Sequence, residues 1–207
     1  ATALRLIGPR WGVVILLVFP LLSLSAAAAN QLAGGAPVSL DWETIGNPTA
    51  MIPLAITLIL GGPLSEELGW RGFAQDRLQS IWRPAGASLV LGALWVCWHL
   101  PLFLIPGTSQ EAKGLGTPAF WTWTAQVVAM TVIFTWVYNN TGRSILGAIF
   151  LHLAANTTFT LLAGLGGKLP QEFETSLMIF ELAVAGLILV FTRADGPGAR
   201  VGVSVEV

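Results

Sequence analysis

Six stretches of the chain read as runs of apolar residues with few polar interruptions, each near the ~20 positions that carry an α-helix across a bilayer. They are Trp11–Ala29, Thr49–Leu64, Pro84–Pro106, Ala119–Tyr138, Ser144–Gly166 and Leu177–Thr192. Between them lie short connections built from turn formers, such as "GNP", "NNTG" and "GGKLPQ". No internal repeat, linker or second composition zone interrupts the pattern. It predicts an all-α fold, a polytopic transmembrane helix bundle of about six spans. The whole of 1–207 forms one integral-membrane domain, with its core at about 49–166.

Composition agrees. Of 207 residues, 54% are hydrophobic and 10% charged, and mean hydropathy is +0.72. Soluble domains carry about 25% charged residues, so the bilayer must serve as solvent for this chain. The first stretch follows Arg5 and Arg10 and ends in "SLSAAAA", which resembles a signal peptide. Its 19 residues exceed a signal core, so a retained span is expected. The sequence begins without methionine, as a trimmed chain or a fragment lacking earlier spans would. A net charge of −1 carries no message for nucleic acid, and the single Cys97 excludes an internal disulfide or a cysteine-based zinc cage.

Charge sorts along the predicted spans. With alternating crossings, Arg5, Arg10, Arg71, Arg77, Arg83, Arg143, Arg193 and Arg200 fall on one side and only Lys113 and Lys168 on the other. The positive-inside rule then places both ends of this chain in the cytoplasm, in what is expected to be a bacterial cytoplasmic membrane.

Three places break the apolar pattern. In "GGPLSEELGWRGF", Glu67 and Arg71 are one helical turn apart and can pair, whereas Glu66 points about 100° away and is free for other work. The bland alternative is that all three mark the end of a span. His99 lies in "WVCWHLPLF", where Pro101 ends or kinks the helix. His152 and Asn156 in "FLHLAANTT" share a helical face, continued by Thr160. Each histidine alone could be helix-packing glue. Together, however, the chain's two histidines both lie within spans, and ionisable groups there usually face a shared cavity. A carboxylate, two imidazoles and a carboxamide can activate water and stabilise an oxyanion, which is sufficient for peptide hydrolysis. At 1.5 Å per residue, Glu66 and His152 fall roughly 8–12 Å from the cytoplasmic boundary and His99 roughly 16–22 Å, a mismatch that tilt can close. The site is therefore expected between that boundary and the midplane, accessible from the cytoplasmic side.

"EELGWR", "WVCWH" and "HLAAN", in that order on separate spans, resemble the three motifs of the CAAX protease and bacteriocin-processing family of intramembrane proteases, related to the CAAX prenyl endopeptidase. That family carries Glu-Glu-x-x-x-Arg, an aromatic-x-x-x-His and His-x-x-x-Asn or Asp. The aromatic, often Phe, is here Trp95, a change acceptable for a packing residue. The resemblance covers residues 66 to 156 and implies an all-helical membrane protease. It implies Glu66 and His99 as activators of water, His152 and Asn156 as the oxyanion side, and Glu67 and Arg71 as supports. No serine or cysteine nucleophile is arranged for the task, so water should attack directly.

Zinc on Glu66, His99 and His152 is one option. The zincin spacing is absent, and metal-free chemistry is the expectation. The substrate is expected to be a membrane-associated peptide or protein. Two other classes compete: a proton-coupled transporter, which should show repeats or paired broken helices, and a non-catalytic protein of bacteriocin-immunity type. Glu181 is read as snorkelling near the outer end of the last span, and Trp121 and Trp123 as interface anchors.

The orientation has a direct check. In a Cys97→Ala background, an impermeant thiol reagent outside intact cells should label a cysteine at Gly114 and miss one at Gly142. The reverse pattern would invert the topology.

Overall fold

The structure, a computed structural model, describes residues 7–163 and 168–191. Among these it is helical throughout, with no strand and six helices long and apolar enough to span a bilayer. They are α1 (Pro9–Leu32), α2 (Pro48–Ile81), α3 (Pro84–Leu104), α4 (Pro118–Asn140), α5 (Ile145–Ala163) and α6 (Gln171–Phe191). Short helices at Trp42–Ile45 and Ser109–Lys113 lie in the α1–α2 and α3–α4 connections.

Proline writes most of the starts. Pro9, Pro48, Pro84 and Pro118 occupy the first turns of their helices, where the missing N–H would have had no partner. Asn47 Oδ1 accepts the Thr49 N–H at 3.0 Å and Thr117 Oγ1 that of Phe120 at 3.2 Å, capping α2 and α4.

Two boundaries differ from the sequence expectation. The second span, expected to end at Leu64, continues to Ile81. It breaks at Gly61–Gly62, resumes at Pro63, and contains one π-helical turn, Trp70–Ala74. Hydropathy falls after Leu64, but Glu67 and Arg71 neutralise each other one turn apart, so the helix survives their burial. The last span begins at Gln171 rather than Leu177. Glu172 and Glu174 form its first turn, where the helix dipole favours acids. That earlier start puts Glu181 in mid-helix with no exposed surface, so it does not snorkel. The α3 helix gives way to a 3₁₀ turn at Leu100–Leu104, as Pro101 requires. The span ends expected at Gly166 and Thr192, and Arg5, Arg193 and Arg200, lie outside the described residues.

α4 is the axis of the bundle: 67% of its most apolar stretch is buried, against 39% or less for the others. α3, α5 and α6 pack on it, and α1 lies against α5 and α6. Ile15 and Phe19 of α1, Ile133 and Phe134 of α4, Leu151 of α5 and Phe173 of α6 form the middle of the core. Outward-facing leucines such as Leu16, Leu24 and Leu94 are what hydrocarbon solvates best.

The bundle has two chemically distinct ends. α1, α3 and α5 begin at an arginine end carrying Arg10, Arg77, Arg83 and Arg143, and α2, α4 and α6 begin at a lysine end carrying Lys113 and Lys168. The arginine end is tied by Asp76, which accepts from the Tyr138 hydroxyl at 3.3 Å and pairs with Arg143 at 3.4 Å. There too the Asn139 amide donates to Gln79 at 2.9 Å.

α3 meets α4 across Gly92, where an added Cβ would lie 3.2 Å from the Val128 Cα and 3.3 Å from the Thr131 hydroxyl. Gly92→Val should therefore destabilise the detergent-solubilised protein by about 1–3 kcal/mol, the cost of overpacking, seen as a lowered unfolding temperature. Gly186→Ala, with open space around the new methyl, should leave that temperature unlowered.

Candidate active site

The site is built around the acidic pair of α2, and the two glutamates divide as their helical positions predict. Glu67 has no exposed surface and Arg71 only 1%. Arg71 Nη1 donates to both Glu67 oxygens, at 3.0 and 2.9 Å. The guanidinium carbon lies 4.5 Å from the Phe134 ring centre and 5.3 Å from that of Trp95, so its other N–H groups, which have no hydrogen-bond partner, meet aromatic faces. Glu67 Oε1 also accepts a 2.8 Å hydrogen bond from His152 Nδ1 on α5. One buried carboxylate thus holds both the arginine and the histidine.

Glu66 is only half-buried and turns to the other side. Its Oε2 accepts from the Trp95 indole N–H at 2.8 Å and, more weakly, from that of Trp70 at 3.4 Å. Oε1 faces the gap left by Gly62. A Cβ at Gly62 would lie 3.7 Å from this oxygen and 3.6 Å from the Asn156 Nδ2. The glycine thus keeps clear the space bordered by a carboxylate and a carboxamide.

His99 is held from its own helix. Its Nδ1 lies 2.8 Å from the Trp95 carbonyl oxygen. Both Nδ1 partners, a carbonyl and a carboxylate, can only accept. Each histidine must therefore carry a proton on Nδ1, leaving Nε2 as the atom available to a ligand. In the neutral ring that atom accepts; in the imidazolium it donates.

Trp95 is the hub. Besides bonding Glu66, its ring centre lies 5.3 Å from that of His152 and 6.1 Å from that of His99. Sequence reasoning treated it as a packing residue. The signal that could have found its second role is its identity: tryptophan adds an N–H donor that phenylalanine lacks. Gly62 and Trp70 stand inside the quoted stretch "GGPLSEELGWRGF" but were missed, because neither ionises. Trp123, expected as an interface anchor, instead stacks edge-on against His99 at 5.6 Å and lines the cavity. Trp121, 61% exposed, fits the anchor role.

Gly62, Glu66, Trp95, His99, Trp123, His152 and Asn156 line one cavity of about 900 Å³. Its walls come from the late turns of α3 and α5 and the early turns of α4 and α6, with His99, Asn156, Trp123 and Leu177 among them. The cavity thus occupies the lysine-end half of the bundle, with Thr108–Lys113 in its wall, and towards the arginine end it is bounded by Trp95 and His152, behind which lies the Glu67–Arg71 pair. Lys113 pairs with Glu174 in the same wall. The depth mismatch arose from ending the second span at Leu64. Glu66 lies ten residues from Asp76, about 15 Å at 1.5 Å per residue, and its bond to Trp95 sets it one turn from His99.

No three His, Cys, Asp or Glu side chains among the described residues converge as a metal-ligand set. The trio of Glu66, His99 and His152 is not gathered into one. Oε2 of Glu66 is turned to indole N–H groups and both Nδ1 atoms are engaged, which leaves Oε1 and the two Nε2 atoms as the donor atoms of this trio that are free.

A family model described as Type II CAAX prenyl endopeptidase Rce1-like matches residues 48–158. The curated CAAX prenyl protease 2 of Methanococcus maripaludis is 32% identical over 136 residues, 64% of this chain and 46% of that protein. The chain thus spans about half the length of that relative. The family match covers more than half of the chain and contains every residue of the site from Glu66 to Asn156, so the chain belongs to the Rce1-like family of type II CAAX prenyl endopeptidases.

Proposed function

We propose that this protein is an intramembrane endopeptidase, CAAX-protease-like, that hydrolyses peptide bonds of membrane-associated peptides or proteins with directly activated water. The carrying observation is the opposition of Glu66 Oε1 and Asn156 Nδ2 across Gly62, at the edge of a cavity large enough for a peptide segment.

In this reading a water between Glu66 and the scissile carbonyl gives its proton to Oε1, and the oxygen adds to the carbonyl carbon. His99, through Nε2, orients that water and shares the proton. The tetrahedral oxyanion accepts from Asn156 Nδ2–H and, when the ring is protonated, from the Nε2–H of His152, whose Nδ1–H Glu67 holds. Collapse breaks the C–N bond, and the proton on Glu66 passes to the leaving amine. A carboxylate and an amine leave, and the glutamate is restored. Trp95 supports this by holding Oε2, which leaves Oε1 as the basic atom. Glu67 and Arg71 act at one remove, by fixing His152. The side-chain arrangement supports chemistry on these residues alone, and no step above passes through a metal.

Variants separate the roles. Glu66→Gln should lower activity by at least ~10²-fold, the lower end of general-base contributions, with little change in unfolding temperature, and His99→Ala should lose activity comparably. Asn156→Ala should cost about 3 kcal/mol of transition-state stabilisation. Glu67→Gln should differ by losing stability as well, about 3–5 kcal/mol, because it leaves Arg71 buried and unpaired. A quenched-fluorescent membrane-peptide assay and a melting curve for each variant suffice. Full activity in Glu66→Gln would return the acidic pair to a structural role.

Metal dependence is read separately. Purified protein should hold substoichiometric zinc and retain most of its activity after strong chelation. One tightly bound zinc per chain, with activity lost on chelation and restored by zinc, would replace the mechanism above.

A further inference from the structure

Glu181 is not used by the mechanism above, and it lies beyond the stretch matched by the family model. It has no exposed surface, neither carboxyl oxygen has a hydrogen-bond partner, and it lines the cavity. It stands ten residues into α6 and His152 eleven residues before the end of α5, so both lie about 15–17 Å from the lysine end at 1.5 Å per residue. Glu181 is thus level with the proposed catalytic groups, on the opposite wall from Glu66.

Burying a carboxyl without a partner costs several kcal/mol. A leucine or methionine there would not carry that cost. The surroundings indicate what the carboxyl serves. Val127, Met130 and Leu177 are apolar residues in the wall of the same cavity, and the other charged groups of the cavity sit elsewhere. Lys113 is held by Glu174, Lys168 and Glu111 are at the exposed rim, and Glu66 faces indole N–H groups. The interior therefore carries two acids and no cation of its own beyond the Glu67–Arg71–His152 cluster. An acid without a partner in an apolar wall matches a long basic side chain, whose methylenes lie against that wall while its charged head meets the carboxyl. Met130 is the flexible element that can give way to it.

We propose that Glu181 is a specificity-determining residue that receives a lysine or arginine side chain of the bound peptide, a subsite resting on the endopeptidase reading for its substrate class. The basic residue lies within reach of the scissile bond because Glu181 shares the level of His152. Glu181 does no chemistry: its role is to select the peptide and set its register.

The test uses membrane-peptide pairs identical except for lysine or norleucine at each position flanking the scissile bond. Cleavage and binding by fluorescence anisotropy are measured for the wild type, Glu181→Gln and Glu181→Leu in detergent. At one position the wild type should favour lysine by about 10-fold or more in kcat/KM and in affinity, the scale of a hydrogen bond to a charged group. In both variants that ratio should fall to about 1. Glu181→Leu should also melt at the same or a higher temperature, because it removes a buried group without a partner. Equal binding of lysine and norleucine peptides at every position would overturn the subsite, as would a preference that survives both substitutions. A lowered melting temperature in both variants would show the carboxyl to be structural and overturn it too. Lysine-selective binding without cleavage of any peptide would instead retire the endopeptidase reading and leave the subsite standing.

Discussion

A carboxylate buried in a membrane bundle must be neutralised where it stands, and Arg71 from its own helix neutralises the Glu67 carboxylate. His152 from α5 donates a further hydrogen bond to it, and Glu67 has no exposed surface. Much else follows from that demand. α2 must pass close to α5, Phe134 of α4 must present its face to the guanidinium, and His152 must turn Nδ1 away from the cavity. The π turn at Trp70–Ala74 falls where Arg71 is inserted, a local unwinding of the kind that recurs at functional sites. A structural ion pair thereby sets the orientation of a group on a different helix.

The cavity inherits its asymmetry from the same cluster. At one end it is bounded by Trp95 and His152, which cover the buried ionic pair, and at the other by a short helix and a lysine–glutamate pair. Between them the break at Gly61–Gly62 removes side chains from one wall where Glu66 and Asn156 approach. Peptide hydrolysis in a bilayer needs such a division: a dry, rigid end that fixes polar groups and an open end that admits peptide and water.

Much of this was legible in the sequence. Six apolar runs gave the six helices to within a few residues, except where the physics of the run changed. α2 was cut short because hydropathy counts Glu67 and Arg71 as two charges, whereas in the structure they form one neutral pair. Glu181 was misplaced for a related reason: an acid near an assumed span end reads as interfacial, and only the earlier start at Gln171 moves it inward. The spacing of Glu67 and Arg71 predicted their bond, since four residues on a helix is a contact. The bond from Glu67 to His152, across 85 positions, has no local signature. Trp95 was recognised for its size and missed for its N–H, because the pattern records an aromatic and only the fold shows what the ring nitrogen reaches. The direction of the cavity depends on which halves of four helices line it, and no single run encodes that.

With only two histidines in the chain, their ring nitrogens can be read directly. A ¹⁵N spectrum of histidine-labelled protein in detergent, at a pH where both rings are neutral, reports which nitrogen carries the proton. The account requires protonated Nδ1 and bare Nε2 for both rings, with Glu67→Gln altering the signals of His152 far more than those of His99. A proton on Nε2 of His152 with Nδ1 bare, or signals of His152 indifferent to Glu67, would contradict the shared carboxylate on which the site is built.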